Sequence, residues 1–323
     1  MFADDLKMLA NPHRVDVIES DIRVLERWED TWLLRFNTSK CKVLHLATNN
    51  NPRIDYFLDG NKLAEVESES DLGLVISSDL KWDEHIKSSL NKANKMIAWI
   101  SRNVICRSKV VMTKIYKCLI RPHLEYCVQL WSPSVSHGNW GVIYDLEKVQ
   151  RKFTNLIDDV GTLSYGARLE KLGLTTLAER RIRGDLIEAF KIIKNEVDYG
   201  QDIFTLGRSG RNLLSSGLRV SNFRKTFFSE RVVQYWNVLP NFVKQSTSVD
   251  NFKTNLRVFK SQHLNNEHSI DSIGNFWEVS EQILQRIEPP SSVSSRAAFC
   301  EYLHKNPWMA KRKGINIYKY ATT

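Results

Sequence analysis

At 323 residues the chain has room for two or three domains and a sizeable core, and its 42% hydrophobic, 26% charged and 10% aromatic content excludes wholesale disorder. Its apolar runs fall far short of the roughly 20 residues a membrane-spanning helix needs. The start, Met1-Phe2-Ala3-Asp4-Asp5, lacks the basic residues and apolar stretch of a signal peptide, which points to an intracellular protein with no membrane partner. The net charge of +9 is unevenly spread: residues 1–83 carry 10 basic and 16 acidic side chains, whereas residues 84–184 carry 17 and 8. Such asymmetry suggests a polyanionic partner for the part beyond residue 83, nucleic acid before membrane. Five scattered cysteines with no C-x-x-C pair read as reduced thiols.

In chain order, the first expected element is an amphipathic helix over residues 13–36. Val15, Ile18, Ile22, Leu25, Trp28 and Trp32 recur there at spacings of three and four, after Asn11-Pro12 as an entry signal. β-prone stretches follow at 42–47, 55–58 and 72–77, with Asp59-Gly60 as a hairpin-type turn. From Glu84 the texture turns helical: Ile86, Leu90, Ala93, Ile97 and Ile100 form one stripe, with lysines on the other side. Helices are expected again over 110–119, 146–157 and Leu177–Ile193, punctuated by Pro122, Ser132-Pro133, Gly138 and Gly161. Residues 200–221 read as a linker or long loop, and 223–256 as a compact aromatic segment. The chain beyond about His263 reads as polar, with a weak helix over 277–287. The fold class is therefore α+β, mostly α.

The Phe2-Ala3-Asp4-Asp5 string lies between apolar flanks. Paired carboxylates on a tight turn are what a two-metal phosphoryl-transfer site requires, because magnesium takes oxygen ligands from one or two carboxylates and the substrate phosphates. A solvent-facing Asp-Asp turn or helix start would look the same in isolation. The motifs downstream of it weigh against that simpler reading. Asn37-x-x-Lys40-Cys41-Lys42, the Leu72-Gly73 segment and Leu80-x-Trp82-x-x-His85-Ile86 come in order after it. Further on stand Tyr116-x-x-Leu119-Ile120-Arg121-Pro122-x-Leu124-Glu125-Tyr126, Leu146-Glu147-x-Val149-Gln150-Arg151 and Arg180-Arg181. Phe227-Phe228-x-x-Arg231, Trp236-Asn237-x-Leu239-Pro240 and Phe252-Lys253-x-x-x-Leu256 complete the set. Together, over residues 1–262, these resemble the reverse transcriptases of non-LTR retrotransposons, the jockey-like lineages in particular.

The resemblance implies RNA-directed DNA polymerisation with Mg2+ held by Asp4 and Asp5, motif C of the family. Lys40, in its motif D, would meet the nucleotide's phosphates, with Lys42 competing for that role. The Leu72-Gly73 strand would resemble the primer grip. It also implies a domain order: a truncated polymerase palm remnant over 1–83, a basic helical thumb over 84–200, a small C-terminal module over 201–265, and a weakly ordered tail over 266–323. Family members carry another catalytic aspartate and a substrate-binding segment ahead of the Asp-Asp turn. The chain is therefore expected to be the C-terminal part of such a protein, unable to polymerise alone. The implied partners are an RNA template and an RNA/DNA duplex, in the nucleus and cytoplasm as for a retroelement ribonucleoprotein. The alternative is a non-enzymatic nucleic-acid-binding protein derived from the thumb.

Lys87, Lys92, Lys95, Arg102, Arg107, Lys109, Lys114 and Lys117 alternate with the apolar stripe and are the candidates for tracking a nucleic-acid backbone; a solvated helix face is the competing reading. Trp82, Trp99 and Trp131 lie beside apolar residues and are expected to pack rather than stack on bases, as are Phe227, Phe228, Trp236 and Phe252. Cys118-x4-His123-x3-Cys127 has the residue types of a zinc site, but its members fall in helical sequence around Pro122, so buried thiols and a capping or solvated histidine are expected instead. Tyr302-Leu303-x-x-Asn306-Pro307 faintly resembles the first helix of trihelix or zeste-like DNA-binding domains.

Overall fold

A computed structural model describes residues 6–46, 51–133, 139–215 and 224–264, and the chain divides into two compact units, Met1–Ser88 and Ser89–Thr323. Among the described residues helix accounts for 55% and strand for 8%, an α+β and mostly α make-up, as the patterning led us to expect. No described helix is long and apolar enough to cross a membrane.

In the first unit, α1 (Val15–Trp32) follows a turn in which the Asn11 side chain accepts from the His13 N–H at 3.0 Å and the Asn11 carbonyl accepts from the Arg14 N–H at 2.9 Å. The helix stops where Leu33 turns left-handed at φ 55°, so it is shorter at both ends than residues 13–36. Ile18 and Ile22 pack with Tyr56 and Leu58, while Trp28 and Trp32, at the far end of the same stripe, remain exposed. Pairing is local and short: β1 (Lys42–Val43) runs parallel to β4 (Ala64–Glu65), and β2 (Phe57–Leu58) antiparallel to β3 (Asn61–Lys62). Asp59 and Gly60 both have positive φ, 51° and 72°, which is what a two-residue hairpin turn demands of its central pair.

A second hairpin, β5 (Ser68–Asp71) with β6 (Leu74–Ser77), corrects one expectation. Leu72 and Gly73 are not strand but the turn itself, at φ 47° and 83°. An apolar leucine in a turn position is invisible to a reading based on β propensity; the glycine after it was the available signal. Residues 6–10 form no strand, and Asp4 and Asp5 lie outside the described residues, as does everything beyond residue 264.

The division between units falls inside α2 (Asp83–Asn103). Next come α3 (Lys109–Ile115), a π-helical turn (Tyr116–Ile120) and α4 (Arg121–Glu125), whose buried residues are Met112, Tyr116, Ile120 and Leu124. Positions four apart drift by about 40° per step around an α-helix. The wider π turn absorbs that drift and keeps all four on one face. Its cause is Pro122, which has no N–H for the Cys118 carbonyl and crowds it with its ring; the Arg121 N–H reaches back to the Tyr116 carbonyl, five residues away. Pro122 therefore widens the helix where it was expected to interrupt it.

α5 (Val128–Trp131), α6 (Trp140–Thr154), α7 (Tyr165–Leu172) and α8 (Leu177–Ile193) follow. Thr176 caps α8, its hydroxyl accepting from the Glu179 N–H at 3.2 Å. α9 (Phe228–Asn237), α10 (Asn241–Lys244) and α11 (Val249–Leu264) complete the unit. Leu186 and Phe190 of α8, Val232 and Trp236 of α9, and Phe252 and Leu256 of α11 share one core. The Phe252 ring lies 4.4 Å from that of Phe190 and 6.0 Å from that of Trp236. Residues 200–221 hold more than a linker: Leu213 is buried in the hairpin of β7 (Thr205–Leu206) and β8 (Leu213–Leu214), and the Asn237 amide bonds both its N–H (2.8 Å) and its carbonyl (2.9 Å).

Two polar groups run through this core. The Arg231 and Asp185 side chains are 2% and 3% exposed and pair through two bonds, Nε to Oδ2 at 2.8 Å and Nη2 to Oδ1 at 3.0 Å. Arg231 also donates to the carbonyls of Thr226, Val128 and Gln129. Nearby, Tyr116 donates to Gln150, Gln150 to Tyr165 at 2.7 Å, and Tyr165 to Glu147 at 2.8 Å, while the Ala178 N–H donates to the other Glu147 oxygen at 3.0 Å. This relay links the π turn, α6, α7 and the first turn of α8.

Replacing Arg231 with Met strands Asp185 in the core and should cost about 3–5 kcal/mol in urea unfolding, with much of the loss recovered by adding Asp185→Leu. If the single variant unfolds like wild type, the pair is not what joins α8 to α9.

Burial pushes the Glu147 carboxyl up. The folded chain then holds that proton more tightly than the unfolded one. Its contribution to stability is complete below about pH 4 and is lost as pH rises through the raised value. Gln leaves either the Tyr165 hydroxyl or the Ala178 N–H without its acceptor, a loss that does not vary with pH. The difference between Glu147→Gln and wild type should still shift in the variant's favour as pH rises from about 5 to 8, measured by denaturant titration at each pH.

Two glycines should respond in opposite directions. A Cβ on Gly161 would lie 2.7 Å from the Asn155 carbonyl oxygen, whereas a Cβ on Gly184, inside α8, would meet nothing within 4 Å. Gly161→Ala should lower the unfolding midpoint, and Gly184→Ala should raise stability by up to about 1 kcal/mol.

Candidate nucleic-acid interface

Of the eight basic candidates, seven are exposed and Arg107 is half-buried, donating to the Ser101 carbonyl at 3.1 Å. None of the eight forms a salt bridge with another described residue, and the seven exposed ones present their charge to solvent. The candidates fall on three stretches: Lys87, Lys92, Lys95 and Arg102 on α2, Arg107 in the connection, and Lys109, Lys114 and Lys117 on α3 and the π turn.

Within α2 the arrangement follows from helical phase. At 3.6 residues per turn Lys92, Lys95 and Arg102 fall within roughly 80° of one another, and roughly 150° from the mean direction of Ala93, Ile97 and Ile100. Those three apolar residues are the buried side of this helix. Trp99 belongs to the basic arc, one turn from both Lys95 and Arg102, and is 52% exposed. This corrects the expectation that it packs: its neighbours in sequence are apolar, but its phase is that of the cations. Helical phase was the signal that could have found it. Trp131 does pack, at 2% exposure, with its indole N–H donating to the Tyr126 carbonyl, and Trp236 and Phe252 are buried as expected. Phe227 is exposed and Phe228 half-buried.

In the first unit Lys40 is exposed on a tight turn whose N–H donates to the Asn37 carbonyl at 2.9 Å, and the Lys42 ammonium caps the Ser39 carbonyl at 3.2 Å. The turn thus commits the Lys42 ammonium to the backbone and leaves that of Lys40 to solvent. Burial, aided by the Glu29 carboxylate, pushes the neighbouring Cys41 thiol up. Cys118 is exposed, His123 and Cys127 are half-buried, and Cys127 sits at φ 50° between α4 and α5. Among the described residues no group of three or more His, Cys, Asp and Glu side chains could hold a metal ion.

The motif residues farther along the chain occupy the interior. Tyr116, Glu147, Gln150, Arg181 and Arg231 are all buried. Ser132, Arg181, Asp185, Arg231 and Tyr235 line a cavity of about 10 Å3, room for one water and too small for a substrate. Both terminal nitrogens of Arg181 lack a hydrogen-bond partner there, and burial lowers the affinity of its guanidinium for its proton. Burial likewise pushes the Tyr235 hydroxyl up to about 12. These groups serve the packing of the helices, which leaves the exposed cations and Trp99 as the side chains placed to meet a ligand.

No family model and no solved structure matches the chain. Over 137 residues it is 22% identical to the RNA-directed DNA polymerase from mobile element jockey of Drosophila funebris. That match takes in 40% of this chain and 15% of the fly protein, so the chain spans a small part of the curated relative it resembles. The similarity supports a reverse-transcriptase-like relationship.

Proposed function

We propose that the chain is a reverse-transcriptase-related protein of a non-LTR retrotransposon whose second unit binds nucleic acid through its backbone, with an RNA template or RNA/DNA duplex as the partner. The observation that carries this reading is the outer arc of α2, where Lys92, Lys95 and Arg102 surround an exposed Trp99 and have no carboxylate partners among the described residues. Uncompensated cations at this spacing neutralise phosphates and release counterions without reading sequence. An exposed indole among them offers a face on which an unpaired base can stack.

The polymerase reading rests on the resemblance and the similarity to the jockey protein. In it Asp4 and Asp5 would hold magnesium, which aligns and neutralises the phosphates in nucleotidyl transfer, and the exposed Lys40 would supply charge to the leaving group. Among the described residues no group of three or more His, Cys, Asp or Glu side chains stands ready to complete the ion's shell. The basic unit as a thumb, and the hairpins before it as palm, belong to the same proposal. Primer extension on an RNA template by the purified chain, abolished by Asp4→Ala, would establish that activity; backbone binding is expected whether or not it appears.

Reversing Lys87, Lys92 and Lys95 to Glu should weaken binding about equally on unrelated duplexes and flatten its dependence on salt, by roughly one unit of slope for each phosphate no longer neutralised. Trp99→Ala should weaken single-stranded RNA binding by about 1–3 kcal/mol and leave duplex binding nearly unchanged. Filter binding at two salt concentrations reads both. Binding that ignores salt, or a reversal variant that matches wild type, would reduce these residues to a solvated helix face.

A further inference from the structure

We propose that Arg183 and Arg257 form a binding site for a phosphate group on the α8–α11 face of the second unit, separate from the cations of α2 and α3. The two helices run antiparallel, and two interactions fix their register. Glu179 of α8 pairs with Lys260 of α11, and the Phe190 ring stacks on that of Phe252 at 4.4 Å. Moving from Glu179 to Phe190 along α8 therefore moves from Lys260 back to Phe252 along α11. Arg183, one turn beyond Glu179, comes level with Arg257, one turn before Lys260.

Two guanidinium groups are thus held at the same height on neighbouring helices. Neither forms a salt bridge with a described residue. Glu179, the carboxylate that acts on Arg183, is already paired with Lys260, and Glu125 is taken by both Arg180 and Arg121. Five cations, Arg121, Arg180, Arg183, Arg257 and Lys260, are thus set against two carboxylates. Burial, then the nearby Arg257 and Arg180 charges, disfavour the charged form of Arg183, and the one carboxylate that acts on it, Glu179, offsets them only in part. Arg183 is half-buried, which limits the water that could screen it, and Arg257 is exposed, which leaves the site an open side.

Like charges brought together by helix packing destabilise the face unless something negative relieves them. The planar guanidinium fork suits an oxyanion that accepts two parallel N–H bonds, and phosphate offers enough oxygens to accept from two forks at once. A carboxylate must share two coplanar oxygens between the forks, whereas phosphate offers each fork its own pair of oxygens and a greater negative charge. Inorganic phosphate and a backbone phosphate of nucleic acid share this chemistry. The site stands on its own geometry, and it extends the proposed function only where the phosphate is that of a nucleic acid.

The test uses the full chain with inorganic phosphate, titrated against chloride at matched ionic strength and followed by the thermal midpoint. Wild type and the Lys87/Lys92/Lys95 reversal should both be stabilised by phosphate, whereas Arg183→Gln and Arg257→Gln should bind it at least about tenfold more weakly, as the loss of one guanidinium fork implies. Without phosphate, Arg257→Gln should melt no lower than wild type, because it relieves a repulsion and removes no partner. A short single-stranded RNA that competes away the phosphate effect would assign the site to backbone phosphate, and failure to compete would assign it to a free one. No phosphate effect in wild type, or an undiminished effect in both arginine variants, would overturn the proposal. Loss of the effect in the α2 reversal alone would place it in the other surface and overturn it equally.

Discussion

The buried Arg231–Asp185 pair is the constraint on which the second unit depends. A guanidinium has five N–H groups, and in a core each must find an acceptor or exact a desolvation cost. Arg231 finds them on three sides: the carboxylate of α8, the Thr226 carbonyl just before its own helix, and the carbonyls of Val128 and Gln129 in α5. Segments separated by a hundred residues of sequence are held to the positions of four of those hydrogens, the two on Nη2 being shared among three oxygens. Hydrophobic contacts between Phe190, Trp236 and Phe252 supply the larger share of burial, but they tolerate sliding. The charged pair does not.

The relay from Tyr116 through Gln150 and Tyr165 to Glu147 applies the same logic to another set of helices. Every bond in it points toward the carboxyl group, so Glu147 as the terminal acceptor orders the donors upstream, and the α8 N-terminus adds an N–H to the same group. Tyr116 enters this relay because Pro122 opens the helix into a π turn and keeps its side facing inward. A residue that reads as a helix breaker is in this setting what aligns a hydrogen-bond donor.

Much of this was legible in advance. The spacing of Leu177–Ile193 marked its helix to the residue, and the Thr176 cap emerged only from the structure. The Asp59-Gly60 turn was equally plain, since its two left-handed positions call for those residue types. Leu72-Gly73 was missed because leucine carries no turn signal, and the continuation through Pro122 was missed because it depends on packing around the Tyr116 side. For the interface, the cations of α2 could be picked from their alternation with Ala93, Ile97 and Ile100. Trp99 was hidden by judging it from its sequence neighbours instead of its angle on the helix. The Arg183–Arg257 encounter depends on the register of two helices distant in sequence, which no local pattern encodes.

The relay also bears on what kinship implies for such a chain. A buried donor–acceptor series resists piecemeal change: exchanging Gln150 alone would leave Tyr116, Tyr165 and the Thr175 carbonyl each short of a partner. Letters bound in this way persist for architectural reasons, in a descendant that has kept its ancestor's chemistry and equally in one that has lost it. Tyr116, Glu147, Gln150 and Arg231 are therefore held in place by architecture and remain silent about catalysis.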